Sequence, residues 1–250
     1  MRILACLAFA AAVTLHAQQT PPAPSVVTEP QASDEATLTG RVKIKGEIPK
    51  RRKISTNADP KCAAMHPGDL LTDDFVIDAA GNVQYVLIYV KEGLGDQKFT
   101  PPKTPIVVEQ KGCRFEPHVM GIMVGQELLF RNQDELMHIV HVVPKNNREF
   151  GFSQAKKGEE RPKTFTNKEI IRLFCDVHPW MVAWIHVFDH PLYAVTGADG
   201  KYKLKGLPPG KYTIEAWHDG YKAVTQEIEV KAKDNKTLNF ELTDKQEFKP

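Results

Sequence analysis

The sequence predicts an all-β protein: a central sandwich with additional β-sandwich strands at both ends. Three observations carry this. Short segments of strict apolar–polar alternation recur along the chain, as at 37–44, 170–175 and 211–217. Turn formers separate them, as in Ala80-Gly81-Asn82, Asp199-Gly200 and Leu207-Pro208-Pro209-Gly210. No amphipathic helix of ordinary length occurs in the amino-terminal half.

Taken in order, Met1-Arg2, an apolar run from Ile3 to Leu15, and Leu15-His16-Ala17 read as a secretory signal over 1–17 cleaved near Ala17. The run is shorter than the ~20 residues a spanning helix needs, and no later stretch is apolar enough, so no membrane span is expected. Residues 18–36 carry Pro21, Pro22, Pro24 and Pro30 among small polar residues, a linker composition. An amino-terminal β segment over 37–104 follows. It has a strand at 37–44, a long polar loop containing Pro60, Pro67 and Gly68, and a hairpin of 74–78 with 83–90 about Gly81. A second β unit spans 105–190, and a last series of short strands fills 191–250.

The chain has 250 residues and a formal charge of +2. Removing 1–17 takes Arg2 from the 33 basic residues, leaving 32 against 31 acidic ones. Nothing in that balance recruits nucleic acid. The basic run Lys43, Lys45, Lys50, Arg51, Arg52 and Lys53 is short enough to be a solvated strand edge and turn.

Chemistry concentrates at 170–188. An alternating strand delivers Cys175 to its end, a short loop presents His178 and Met181, and a second strand returns. Thiolate, imidazole and thioether are donors that copper prefers, and His138, just after the strand-like 127–132, offers a second imidazole. Alternation puts His138, Val140 and Val142 on one face and turns His141 to the other. By the same counting Cys175 shares the apolar face of Ile171 and Leu173. Zinc is the rival metal, since Cys/His sites suit it, but thioether is a poor zinc donor. Met120, Met123 and Met137 read as core or as a copper-loading surface.

At these residues the chain resembles the cupredoxins, and among them amicyanin. Cys175-x-x-His178-x-x-Met181 matches the short ligand loop, 137–141 the upstream ligand segment, and Phe115-Glu116-Pro117 with 124–128 the opening strands. The resemblance implies a Greek-key sandwich over 105–190. It also implies one type 1 copper per chain, held by His138, Cys175, His178 and Met181. Where cupredoxins usually have Asn after the first histidine, tying the ligand loops together, this chain has Ile139. Residues 191–250 resemble the carboxypeptidase regulatory-like, transthyretin-like sandwich, notably at Asp199-Gly200-Lys201-Tyr202 and Pro209-Gly210-Lys211-Tyr212. They hold too few strands for a whole module. Thr39-Gly40-Arg41-Val42 resembles its first strand, so the amino-terminal strands complete that module or extend the other.

With Cys6 in the signal and Cys175 on a metal, Cys62 and Cys113 are left to pair as a disulfide. The alternative is a second metal site from Cys62-x3-His66 and Cys113-x4-His118, neither a recognised ligand spacing. The expected function is a one-electron carrier, periplasmic or secreted, that meets a redox protein partner through Pro179 and Trp180 beside His178. The alternative is non-redox copper binding and delivery, or cell-surface interaction through the sandwich. No enzyme is expected, as the chain has neither a His-x-His pair nor Gly-x-Ser-x-Gly.

Overall fold

A computed structural model describes residues 34–56 and 59–246. The expected signal 1–17 and nearly all of the linker 18–36 lie outside the described residues. In chain order the elements are β1 (Ala36–Ile44), α1 (Pro60–Met65), β2 (Leu87–Glu92), β3 (Ile106–Gln110), β4 (Phe115–Glu116) and β5 (Val119–Met123). Then come β6 (Glu127–Asn132), β7 (His138–Val142), β8 (Phe150–Gln154), β9 (Glu160–Thr164), β10 (Glu169–Cys175) and β11 (Val182–Phe188). The last are β12 (Tyr193–Val195), β13 (Lys201–Leu207), β14 (Gly210–His218), β15 (Tyr221–Val230), β16 (Asn235–Thr237) and β17 (Phe240–Leu242). The protein is all-β, and among the described residues no helix is long and apolar enough to cross a membrane.

The middle of the chain forms one sandwich. A sheet ordered β5-β11-β10-β7-β8 packs on a sheet ordered β4-β3-β6-β9. Their inward residues make one core, with Val108, Phe115, Leu128 and Phe130 from one sheet and Val140, Ile171, Leu173 and Ile185 from the other. Register follows the alternation: β10 sets Ile171 opposite Ile185, and β7 brings Val140 opposite Cys175. A one-residue slip would turn both strands' apolar sets outward.

Strands from both ends of the chain build the second sandwich. β1 lies between β13 and β16 and also pairs β17, while β2 lies between β12 and β14. Leu38 and Val42 of β1, Ile88 and Val90 of β2, and Leu204, Ile214 and Phe240 share its core. Residues 37–104 are therefore not a unit of their own; β1 and β2 complete the sandwich of β12 to β17, and the central sandwich lies between them in the chain. Gly40 permits this, since a Cβ there would lie 1.8 Å from the Leu238 carbonyl oxygen.

The expected hairpin of 74–78 with 83–90 reduces to a single bridge between Ile77 and Val83. Tyr85 has φ 64°, which interrupts a regular strand, and β2 pairs distant β12 and β14 instead. Tertiary pairing overrides the local turn signal here.

A third apolar cluster, with Leu87, Val119, Trp184, Phe188 and Trp217, joins the two sandwiches. It covers the outer face of β11. That strand is consequently buried on both faces, which accounts for its nearly continuous apolar run.

Candidate metal centre

The candidate site lies at one end of the central sandwich, where β7 begins and β10 ends. Inward alternation along β7 buries His138 with Val140 and Val142. β10 carries Cys175 to its last position, 1 % exposed. The following loop is tied off by main-chain bonds, Met181 N–H to the His178 carbonyl at 2.8 Å and Cys175 N–H to the Met181 carbonyl at 3.2 Å. This returns the His178 ring over the cysteine. Met181 is buried in the same core cluster as Cys175.

The donors converge. His138 Nδ1 lies 3.1 Å from His178 Nδ1, and Cys175 Sγ lies 3.7 Å from that nitrogen. One ligand atom from each of the three residues falls within 4.8 Å of the others. Both imidazoles are held from behind: His138 Nε2 meets the Asp134 carboxylate at 2.9 Å, and His178 Nε2 meets Asp59 at 3.1 Å. A carboxylate only accepts, so both Nε2 atoms carry hydrogen, and both Nδ1 atoms face each other and the sulfur. Such a cluster offers a cation three donor atoms. By donor chemistry the residues fit copper: two imidazoles, one thiolate, and a buried thioether close in sequence.

Electrostatics agree with that geometry. Burial works to raise the Cys175 thiol, but the His178 ring and the main-chain N–H groups of Ile139, Val177 and His178 outweigh it, so the thiol is lowered. Burial works to lower His178, yet Cys175 and Asp59 raise it. Asp134 is lowered despite its own burial, by His138 and by the N–H groups of Gly112 and Cys113, which donate at 2.7 and 2.9 Å. Asp59 is lowered chiefly by His178.

Asp59 and Asp134 are the site residues that the sequence patterns did not reveal. Asp59 caps α1, accepting from the N–H groups of Lys61 and Cys62, and Pro60 follows it at the first helical position. An Asp-Pro pair ahead of a short helix was the available signal. The six-residue α1 itself falls in the stretch expected to be loop. Cys62 of α1 is bridged to Cys113 with Cα atoms 5.8 Å apart. The second metal site imagined for these cysteines is not formed: His66 bonds the Gly112 carbonyl, and His118 bonds the Val182 carbonyl and Asp219. Ile139 contributes through its backbone, donating its N–H to Cys175 Sγ at 3.4 Å. The loop-tying that an asparagine side chain would provide falls here to the two carboxylates and the disulfide.

His141 faces outward, bonded to Asp176 at 3.0 Å. Pro179 is exposed, and Trp180 is half-buried with its ring centroid 5.2 Å from that of His178 and its Nε1–H on the Cys113 carbonyl. His178 itself is only 2 % exposed, with the Asp59 carboxylate against its Nε2. Met120 and Met123 are core residues, whereas Met137 stands exposed beside Val177 on a shallow depression over His178.

Parts of the chain are similar to known proteins. A family model described as the carboxypeptidase regulatory-like domain matches residues 183–243, a span that begins within β11. Among solved structures, a copper-containing nitrite reductase from Thermus scotoductus SA-01 is 26% identical with TM-score 0.33, over 38% of this chain and 24% of its own. The chain thus spans about a quarter of that protein. A purple cupredoxin from Nitrosopumilus maritimus is 18% identical with TM-score 0.30, over 33% of this chain and 99% of its own. An amicyanin variant in the Cu(I) form is 21% identical with TM-score 0.31, over 40% of this chain and 98% of its own. A search of curated proteins finds no match.

Proposed function

We propose that this chain is an exported, periplasmic or secreted, type 1 copper protein that passes single electrons between redox partners and is not itself an enzyme. His138, Cys175 and His178 would hold the ion, with the Met181 thioether as the weak axial donor. When bound, copper supplies a one-electron couple between Cu(I) and Cu(II). The residues supply the rest: Ile139 N–H steadies the sulfur, Asp134 and Asp59 fix ring orientation and tautomer, and the core around Leu173 and Val140 excludes water. The observation that carries the reading is the convergence of two imidazole Nδ1 atoms and one thiol in a buried pocket whose remaining ring nitrogens are already occupied. With His178 covered, the exposed Pro179 and Val177 and the half-buried Trp180 are the contact surface for a partner.

The test is a visible and electron paramagnetic resonance spectrum of the copper-loaded chain. One copper per chain, intense sulfur charge-transfer colour and reversible bleaching by ascorbate are expected. Cys175→Ser should abolish the colour, while Met181→Leu should keep most of it and shift the potential. Copper bound without that colour would favour storage or delivery instead.

A further inference from the structure

The disulfide of Cys62, in α1, with Cys113 lies beside His178. Their sulfurs and a ring nitrogen of His178 all lie within 4.8 Å of one another, and both cysteines are fully buried. The segments carrying them are anchored independently of the bridge. Asp59 caps the helix of Cys62 while holding His178, and Asp134 accepts the Cys113 N–H while holding His138. Trp180, next but one to His178, donates to the Cys113 carbonyl. Breaking the sulfur–sulfur bond therefore leaves both cysteines tethered beside the imidazole.

We propose that the Cys62–Cys113 disulfide masks a second metal site: once it is reduced, the two thiolates and His178 bind a thiophilic cation, Zn(II) or Cu(I). The chemistry balances with a dithiol as reductant. It delivers two electrons and two protons, the S–S bond breaks, two thiols form, and the reductant leaves as its own disulfide. The cation then displaces the two thiol protons. Two thiolates and an imidazole are donors that suit both ions, and a tetrahedral ion has one position left for a further donor. His178 belongs to both donor sets, so filling this site takes a ligand away from Cys175 and His138. The oxidised protein offers one thiolate and the reduced protein three, and the disulfide decides which kind of metal centre exists. The site uses neither Cys175 nor His138, so it stands or falls separately from the electron-carrier reading.

The experiment uses the full chain carrying Cys175→Ser, which removes the first donor set, with Co(II) as probe. The chain is reduced with dithiothreitol and desalted under argon, and its fold is checked by circular dichroism. The reduced form should take one Co(II) with sulfur-to-metal absorption in the near ultraviolet, and the oxidised form should show none. Adding His178→Asn should weaken binding at least about tenfold, the smallest loss typical even of an outer partner of a metal ligand. In the unsubstituted reduced chain, Zn(II) should slow alkylation of Cys62 and Cys113 by iodoacetamide, read by peptide mass spectrometry. A folded, reduced Cys175→Ser chain with no sulfur band overturns the proposal. So do alkylation rates in the unsubstituted chain that Zn(II) leaves unchanged.

Discussion

At Asp134 one carboxylate accepts three hydrogen bonds, from the His138 ring and from the N–H groups of Gly112 and Cys113. Replacing it by alanine leaves the ring free to turn and the N–H groups of Gly112 and Cys113, the latter buried, unpaired. Outer partners of this kind are typically worth 10–100-fold in metal affinity. Asp134→Ala should therefore weaken copper binding by about that factor in a competition titration against a chelator, and Asp59→Ala should act in the same direction. Unchanged affinity in both variants would mean that the rings are fixed by packing alone. The asymmetry between ligands and clamps explains what could be read beforehand. His138, Cys175 and His178 stood out because strand alternation and a three-residue spacing constrain where their side chains go. Asp59 and Asp134 reach their rings across 119 and 4 positions, and no periodic pattern marks a lone carboxylate.

Among the elements, α1 and the turn at 111–113 matter out of proportion to their size. The bridge between them closes a loop of 51 positions, worth about 4 kcal/mol in the chain-entropy account. For domains of this size each kcal/mol moves the melting temperature by about 2–4 °C. Cys62→Ser under oxidising conditions should lower Tm by roughly 10 °C in calorimetry. A shift below about 2 °C would show that the tethers through Asp59 and Asp134 hold these segments without the bridge. β10 and β11 could be read from alternation and their apolar runs, whereas β2 could not. Its local sequence pointed to a hairpin, but its partners β12 and β14 begin at Tyr193 and Gly210, and pairing across that distance leaves no local trace.

The whole molecule depends on how two sandwiches meet, and their polar junction centres on Asp219. This carboxylate, on the turn between β14 and β15, accepts from the His118 ring at 3.0 Å and from Trp184 Nε1 at 3.1 Å, both of the central sandwich. The other His118 nitrogen faces the Val182 carbonyl at 3.0 Å. Both partners are acceptors, so the ring carries both protons and is an imidazolium. Burial alone would push His118 down, but the bond and charge of Asp219, aided by Asp73, raise it. Asp219 is lowered in turn by His118, against its own burial, with His218 also contributing. Nothing in the alternating pattern pairs these residues, since they lie 101 positions apart on different modules. The sign of the consequence is fixed. A histidine whose folded pKa is raised contributes its full stability below its unfolded value near 6.5, and that stability is lost as pH rises through the folded value. Buried His186, His190 and His218 are lowered and act in the opposite direction, so the contribution is read from the difference between the unsubstituted protein and a variant. In urea unfolding Asp219→Asn, which removes the charge that holds the proton, should cost about 3 kcal/mol at pH 6 and clearly less at pH 9. Equal stability of the two proteins at pH 6 would mean that the apolar cluster of Leu87, Val119, Trp184 and Trp217 joins the sandwiches without help from the ion pair.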